Sequence, residues 1–256
     1  MGGLPLALLL GAVCTMAAGS KRWTGTSGGL HVTITQGDVV AADAKGARLF
    51  SLRELFPNVE SDDPNVDTYS ASYRPLSLVG PYLSLERDGG ASAPGAAHAQ
   101  PDRGFVTLDL RKPERSVPLT RFFTEQQVLS AFRKDGFLAT LKVPLAGVDS
   151  LKALTDAFAK LNDCHVELGE GHFESFAFHS LNGDGLVAVR FGLQNTCLTD
   201  PEIRQLGLLL PVPPTLESDL KAAAERRHGF LMKDSKRVFG SEFWISFKEP
   251  RMAPSR

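Results

Sequence analysis

The stretch "LERDGGASAPGAAHAQPDRGFVTLDLRK", Leu85 to Lys112, decides how this chain is organised. Its middle is nearly all Gly, Ala, Pro and Ser. It then runs into a segment where Phe105, Thr107 and Asp109 alternate with Val106, Leu108 and Leu110. A two-residue period of this kind marks a strand. As a linker, the Ala-rich middle would separate two domains. As a binding loop it would make His98 a candidate functional residue, and as a long hairpin connection it would join two strands of one sheet.

The sequence upstream is β-like. In "LHVTITQGDVVAADAKGARLFSLRELFP" the side chains of Leu30, Val32 and Ile34 share one face. A Gly37-Asp38 turn leads to a second strand, and a Lys45-Gly46 turn leads into "SLRELF". The segment "VESDDPNVD" gathers Asp62, Asp63, Asn65 and Asp67 but lacks the central Gly and closing Glu of a calcium loop, so it reads as a solvated loop. "TYSASYRPLSLVGPYLSLERDGG" reads as two strands around a Gly-Pro break.

Downstream, Thr124 is placed to cap a helix carrying Val128, Leu129 and Phe132 and closing at Gly136. Ser150 caps a second, with Leu151, Leu154, Phe158 and Leu161 on one face and an end near Asn162. Two alternating runs flank Asn182-Gly183-Asp184-Gly185, a strong hairpin signal. "QLGLLLPVP" reads as a buried strand stopped by prolines. "TLESDLKAAAERRHG" reads as a helix with capping-box spacing at Thr215 and Ser218, ended by Gly229. "RVFGSEFWISF" reads as a last strand before a polar tail.

One internal echo stands out. "DAKGARLFSLRELFP" from Asp43 and "DLRKPERSVPLTRFFT" from Asp109 share an Asp, a basic turn, and Leu-x-x-[Leu/Phe]-Phe. The common physical content is a strand, a tight turn and a short helical turn that drives two apolar side chains into a core.

Composition sets outer limits. The 256 residues are 43% hydrophobic, and 28 basic against 29 acidic side chains leave a formal net charge of -1. Such a balance offers no electrostatic footprint for nucleic acid or an anionic membrane surface. Residues 1–20, "MGGLPLALLLGAVCTMAAGS", are apolar and uncharged and end in small residues. They fit a signal peptide cleaved near Ala17 to Gly19, leaving no membrane span in a periplasmic or secreted protein. Cys14 raises the alternative of a lipoprotein, but Val13 stands where a small residue is usual. Once the leader is removed, Cys164 and Cys197 remain. In an oxidising compartment such a pair is expected to form a disulfide closing a loop of about 33 residues, with stabilisation of roughly 3 kcal/mol in the chain-entropy model.

Motifs for catalysis do not emerge. The chain has no phosphate loop, dinucleotide fingerprint or His-Glu-x-x-His. His165, His172 and His179 lie near Cys164, Glu167, Glu170 and Glu174, but on strands their odd spacing alternates the faces, so they read as turn and hairpin residues. His98 has no partner in its own segment. Phe122, Phe123, Phe173, Phe176 and Phe178 read as core, and Tyr69, Tyr73 and Tyr82 as exposed side chains suited to a protein interface. No catalytic residue, metal ligand or cofactor is assigned.

Several segments, in order, resemble the RsiV-like extracellular domain of lysozyme-sensing anti-sigma factors and of polysaccharide-deacetylase cell-wall enzymes. These are "SYRPLSLVGPYLSLERDGG", "AAHAQPDRGFVTLDLRKPERSVPLTRFFTEQQVLSAF", "FAFHSLNGDGLVAVRFGL" and "LGLLLPVPPTLESDL". The matching positions are Gly89, Gly90, Ala97, His98, Asp109, Leu110, Lys112, Leu119, Phe122 and Phe123, within residues 68–220. The loop before His98 is longer and richer in Ala than the family pattern, and Pro113 replaces a usual Gly. The resemblance implies an α+β, envelope-facing binding module with no catalytic residues to carry over. It also implies that the strands flanking the Ala-rich stretch pair in one sheet, which favours the hairpin.

The expectation is therefore a single α+β domain over residues 21–256, an antiparallel sheet with two to three packed helices and a C-terminal extension from residue 228. Gly89, Gly90, His98 and Asp102 form the expected partner-contact loop, facing a protein or cell-wall ligand such as a muramidase (lysozyme). The competing readings are an envelope hydrolase using His98, His165 or His172 with carboxylates, and a structural or chaperone-like periplasmic protein.

Overall fold

The computed structural model describes residues 22–57, 68–92, 100–113, 116–136, 143–161, 168–193 and 204–247. Among them are eleven strands in three antiparallel sheets, four helices of eight or more residues and one single helical turn. The chain is α+β, with three sheets in place of one and one more helix than expected.

The first sheet is a meander of β1 (Trp23–Ser27), β2 (Leu30–Ile34), β3 (Val39–Ala42) and β4 (Arg48–Ser51). Its buried face carries Leu30, Val32, Ile34, Val39, Ala41 and Phe50, the alternation read from the sequence. The chain then turns through α1 (Leu52–Leu55).

The second sheet is the middle layer. Its long strands β5 (Thr68–Val79), β6 (Tyr82–Ser92) and β7 (Gln100–Asp109) pair in sequence order. Leu83 faces Leu108, Leu85 faces Val106, and pairing continues out to Ala91 opposite Gln100. The Ala-rich stretch thus joins two hydrogen-bonded neighbours as a hairpin connection. Both faces of β7 are covered: Val106 and Leu108 pack toward the first sheet, while Phe105 and Thr107 are buried on the opposite side. Thr107, the polar residue between Val106 and Leu108, therefore marks a second interface rather than a wet face.

That interface receives the third sheet, ordered β10-β9-β8, from β8 (Phe176–Leu181), β9 (Leu186–Leu193) and β10 (Arg204–Pro211). Asn182 closes the β8–β9 hairpin, its side-chain oxygen accepting from the Asp184 and Leu186 amides at 3.2 and 2.9 Å. Two helices, α2 (Glu125–Lys134) and α3 (Leu151–Ala159), contribute to the same core. Thr124 and Gln127 form a full capping box on α2, and the Ser150 side chain accepts from the Ala153 amide on α3. Phe132, Phe173 and Phe191 meet edge to face with centroids 5.8 to 6.4 Å apart.

The edge of β8 ends on buried hydroxyls of the middle sheet. Ser77, Ser84 and Thr107 are fully buried. The Thr107 hydroxyl donates to the Phe176 carbonyl, the Phe178 amide donates to Ser77 Oγ at 3.3 Å, and the Phe105 amide donates to Ser175 Oγ at 3.0 Å. An edge strand presents unpaired backbone groups, and this arrangement satisfies them without another strand.

The C-terminal region departs most from expectation. The helix α4 (Glu217–Ala224) has Leu216 at its N-cap with no side-chain hydrogen bond, because a 3-10 turn, Pro214–Leu216, leads into it; Thr215 and Ser218 form no capping box. The expected strand at "RVFGSEFWISF" is instead the end of α5 (Met232–Phe239) and only a two-residue strand, β11 (Ile245–Ser246), at the free edge of β5. The segment from residue 228 is not peripheral. Phe230, Phe239, Phe243, Ile245 and Phe247 are buried in the core between the first and second sheets. Phe230 and Leu78 exchange backbone hydrogen bonds of 2.8 and 3.0 Å. No helix among the described residues is long and apolar enough to cross a membrane.

Candidate functional site

The two echoed segments meet across a cleft of about 580 Å³. Its floor is the inner face of β6 and β7, through Arg87, Val106 and Leu108. Leu55 and Phe56 at the end of α1 form one wall; Pro113, Ser116, Pro118 and Glu174 form the other. A small-molecule site typically occupies about 300–1,000 Å³ with apolar lining and a few polar groups.

Local chemistry fixes each wall. In the first segment, Asp43 Oδ1 accepts from the Lys45 and Ala47 amides at 2.8 and 2.9 Å, which sets the turn into β4. Asp38 then clamps the start of α1, accepting from the Ser51 hydroxyl at 2.7 Å and the Arg53 amide at 3.0 Å. Leu52 is driven fully into the core, and the Phe56 ring stacks on Tyr73 with centroids 5.7 Å apart. In the second segment, Asp109 Oδ1 accepts from the Arg111 amide at 3.0 Å, and its two carboxylate oxygens accept from Arg111 Nε and Nη2 at 2.9 and 2.8 Å. Burial raises the Asp109 pKa, but Arg111, with help from Arg121, more than offsets it and holds the carboxyl below its usual range.

Beyond that turn the chain runs back along β7. The Val117 amide donates to the Thr107 carbonyl at 2.7 Å, and Ser116 forms a bridge with Leu108. Leu119, in the 3-10 turn Leu119–Arg121, is fully buried on the far side of the middle sheet from Leu52. Glu174 closes the cleft from the 3-10 turn Glu170–Glu174, where it accepts a hydrogen bond from the Ser116 hydroxyl. Its neighbours hold it in place: Phe173 is sunk among aromatics, and the Ser175 carbonyl accepts from the Gly192 amide at 2.9 Å.

No family model, curated protein or solved structure matches the chain. Among the described residues, the cleft lining joins the Arg87 guanidinium, the Glu174 carboxylate and the Ser116 hydroxyl to an apolar floor, a set suited to binding a ligand with both polar and apolar parts.

The residues expected from the sequence distribute unevenly around it. Gly89 and Gly90 lie within β6 and Asp102 lies on β7 opposite Gly89, so these three are strand residues rather than loop residues. Gly89 has a packing reason: a Cβ there would stand 2.6 Å from the Ser70 carbonyl oxygen. It sits two residues, about 7 Å, along the strand from Arg87 and on the same face. His98, Cys14, Cys164, His165 and Cys197 lie outside the described residues. His172 falls in the 3-10 turn before Glu174, and His179 sits half-buried on β8, its Nδ1 3.1 Å from Ser180 Oγ. No three His, Cys, Asp or Glu side chains converge to hold a metal among the described residues. Tyr73 and Tyr82, expected at the surface, are core residues, because the strands carrying them are covered on both faces.

Sequence reasoning missed Arg87, and it weighed Glu174 only as a carboxylate near the histidines rather than as a cleft residue. A signal for Arg87 was present: it stands in phase with Leu83 and Leu85, a charged side chain on the inward face of a strand. Glu174 offered none, since only the tertiary fold brings it to Ser116.

Proposed function

We propose that this chain is an exported, non-catalytic binding module of the cell envelope that recognises a muramidase or cell-wall material. The observation carrying the reading is the cleft between the echoed segments, where Arg87, Ser116 and Glu174 surround an apolar floor. Such a lining selects a ligand by shape and charge. The apolar leader, the Cys164 and Cys197 pair and the resemblance to the RsiV-like domain support the envelope setting and the ligand type.

Two baits test the proposal, immobilised lysozyme and insoluble peptidoglycan. Retention by either is expected, with about tenfold weaker binding after Leu55→Glu, which puts a charge on the half-buried cleft wall. Failure of both baits to retain the unaltered protein would remove the ligand assignment.

A further inference from the structure

We infer that the outer face of the third sheet binds a phosphate-type dianion, held between Arg190 on β9 and Lys233 on α5 with the His179 ring as a third contact. The site shares no residue with the cleft, so it stands or falls apart from the recognition reading above.

Sheet geometry gathers the groups. Val187 and Val189 are fully buried, so Ala188 and Arg190, alternating with them along β9, stand on the outer face. Ala177, Arg190 and Gly207 form one row across the three strands. Gly207 leaves room for the guanidinium: a Cβ there would stand 2.7 Å from Arg190 Nη1. The pairing of β8 with β9 slips between Phe178 and Ser180, and His179 is the extra residue. A bulge of this kind re-aims a side chain, and His179 is half-buried there. From the other side, Met232 at the start of α5 packs against the cluster of Leu76, Phe105 and Ala177, and Lys233 follows it. The charges of Arg190 and Lys233 both reach the His179 ring and disfavour its protonated form.

Charge then selects the ligand. Neither Arg190 nor Lys233 makes an ion pair among the described residues, and no carboxylate counters them at His179. Asp234 follows Lys233 on α5, but its buried Oδ2 has no partner there. Two unpaired cations beside one half-buried ring repel each other, and an anion between them removes the repulsion. A carboxylate would leave one charge uncompensated, whereas a dianion offsets both. The guanidinium forks onto two phosphate oxygens, and the ammonium adds a point charge. Nδ1 of His179 lies 3.1 Å from Ser180 Oγ, which leaves Nε2 for a further oxygen. Donors from three elements suit a tetrahedral oxyanion better than a planar one.

The test is calorimetric titration of the full chain with inorganic phosphate, glycerol 3-phosphate and acetate near neutral pH, with the His179 ring followed by NMR. Phosphate is expected to bind at about millimolar concentration or below, and acetate about tenfold more weakly. Arg190→Gln and Lys233→Gln should each weaken phosphate about tenfold, while Lys134→Gln, at the end of α2, leaves it unchanged. Gly207→Ala removes no charge but displaces the guanidinium, and should also weaken phosphate. A bound dianion favours the protonated ring, so saturating phosphate should raise the pH at which His179 titrates. Acetate binding as tightly as phosphate would overturn the inference, as would no phosphate binding at about ten times that concentration. Equal losses in Lys134→Gln and Arg190→Gln would do the same. Should the variants not fold, the unaltered chain decides: a His179 titration unmoved by phosphate has the same consequence. Tighter binding of glycerol 3-phosphate than of inorganic phosphate assigns the anion to a phosphate group on a larger ligand, and the reverse order assigns it to the free ion.

Discussion

The Thr107 hydroxyl, fully buried on the middle sheet, donates to the Phe176 carbonyl at the edge of the third sheet and lies 3.0 Å from Ser84 Oγ. Two sheets are thereby joined through side-chain hydroxyls where no strand pairing is possible. Thr107→Val keeps the shape but leaves the Phe176 carbonyl and the Ser84 hydroxyl without this partner. A buried polar group left unsatisfied costs about 1–3 kcal/mol, so the urea midpoint is expected to fall accordingly. Thr107→Ser, which retains the hydroxyl, should recover most of that loss.

Gly229 fixes the docking of the C-terminal segment on β5. Its φ is +98°, and a Cβ there would stand 2.1 Å from the Leu78 carbonyl oxygen, the acceptor of the Phe230 amide. Gly229→Ala is expected to destabilise by about 3 kcal/mol or more in chemical denaturation. Gly37→Ala, where nothing lies within 4 Å, should stay within about 0.5 kcal/mol.

His179 makes stability depend on pH. Burial lowers its pKa below the ordinary 6.5, and the charges of Arg190 and Lys233 push the same way. The folded state therefore holds the neutral ring more firmly than the unfolded chain does. The stability this supplies is complete above about 6.5 and is lost as pH falls through the lower folded value. Denaturation series across that window should show a steeper decline for the unaltered protein than for His179→Gln. Parallel declines would remove His179 from the account.

The envelope reading makes a mass prediction. The mature protein should begin after the small residues at Ala17 to Gly19, have lost Cys14 with the leader, and carry one Cys164–Cys197 bridge. Intact mass before and after reduction reads all three. An uncleaved N-terminus with all three cysteines as free thiols would count against export.

Much of the architecture was legible because its signals are local. Thr124 and Ser150 announced their helices through caps, and Asn182 to Gly185 announced a hairpin through turn chemistry. The alternation at Phe105 to Leu110 gave the strand but not its burial on both sides. Hydroxyls such as Thr107 serve as interior partners here, and local pattern cannot distinguish that from a solvated face. The C-terminal segment was misread because Phe239, Phe243 and Phe247 look strand-like in a short window. The helix that carries Phe239 instead begins at Met232 and stops at Gly240, whose φ is +87°. The echo at Asp43 and Asp109 was visible in the chain. That its copies face each other across a cleft follows from the pairing of β6 with β7 and from the strap at Ser116, which are long-range contacts.

The most direct measurement maps the ligand-contact surface by amide chemical shifts during titration with lysozyme or solubilised cell-wall fragments. The account predicts that one of these ligands perturbs Phe56, Val106, Leu108 and Ser116 together, with the outer face of the first sheet, at Thr24 and His31, unmoved. Perturbations confined to that outer face, or none with either ligand, would contradict it.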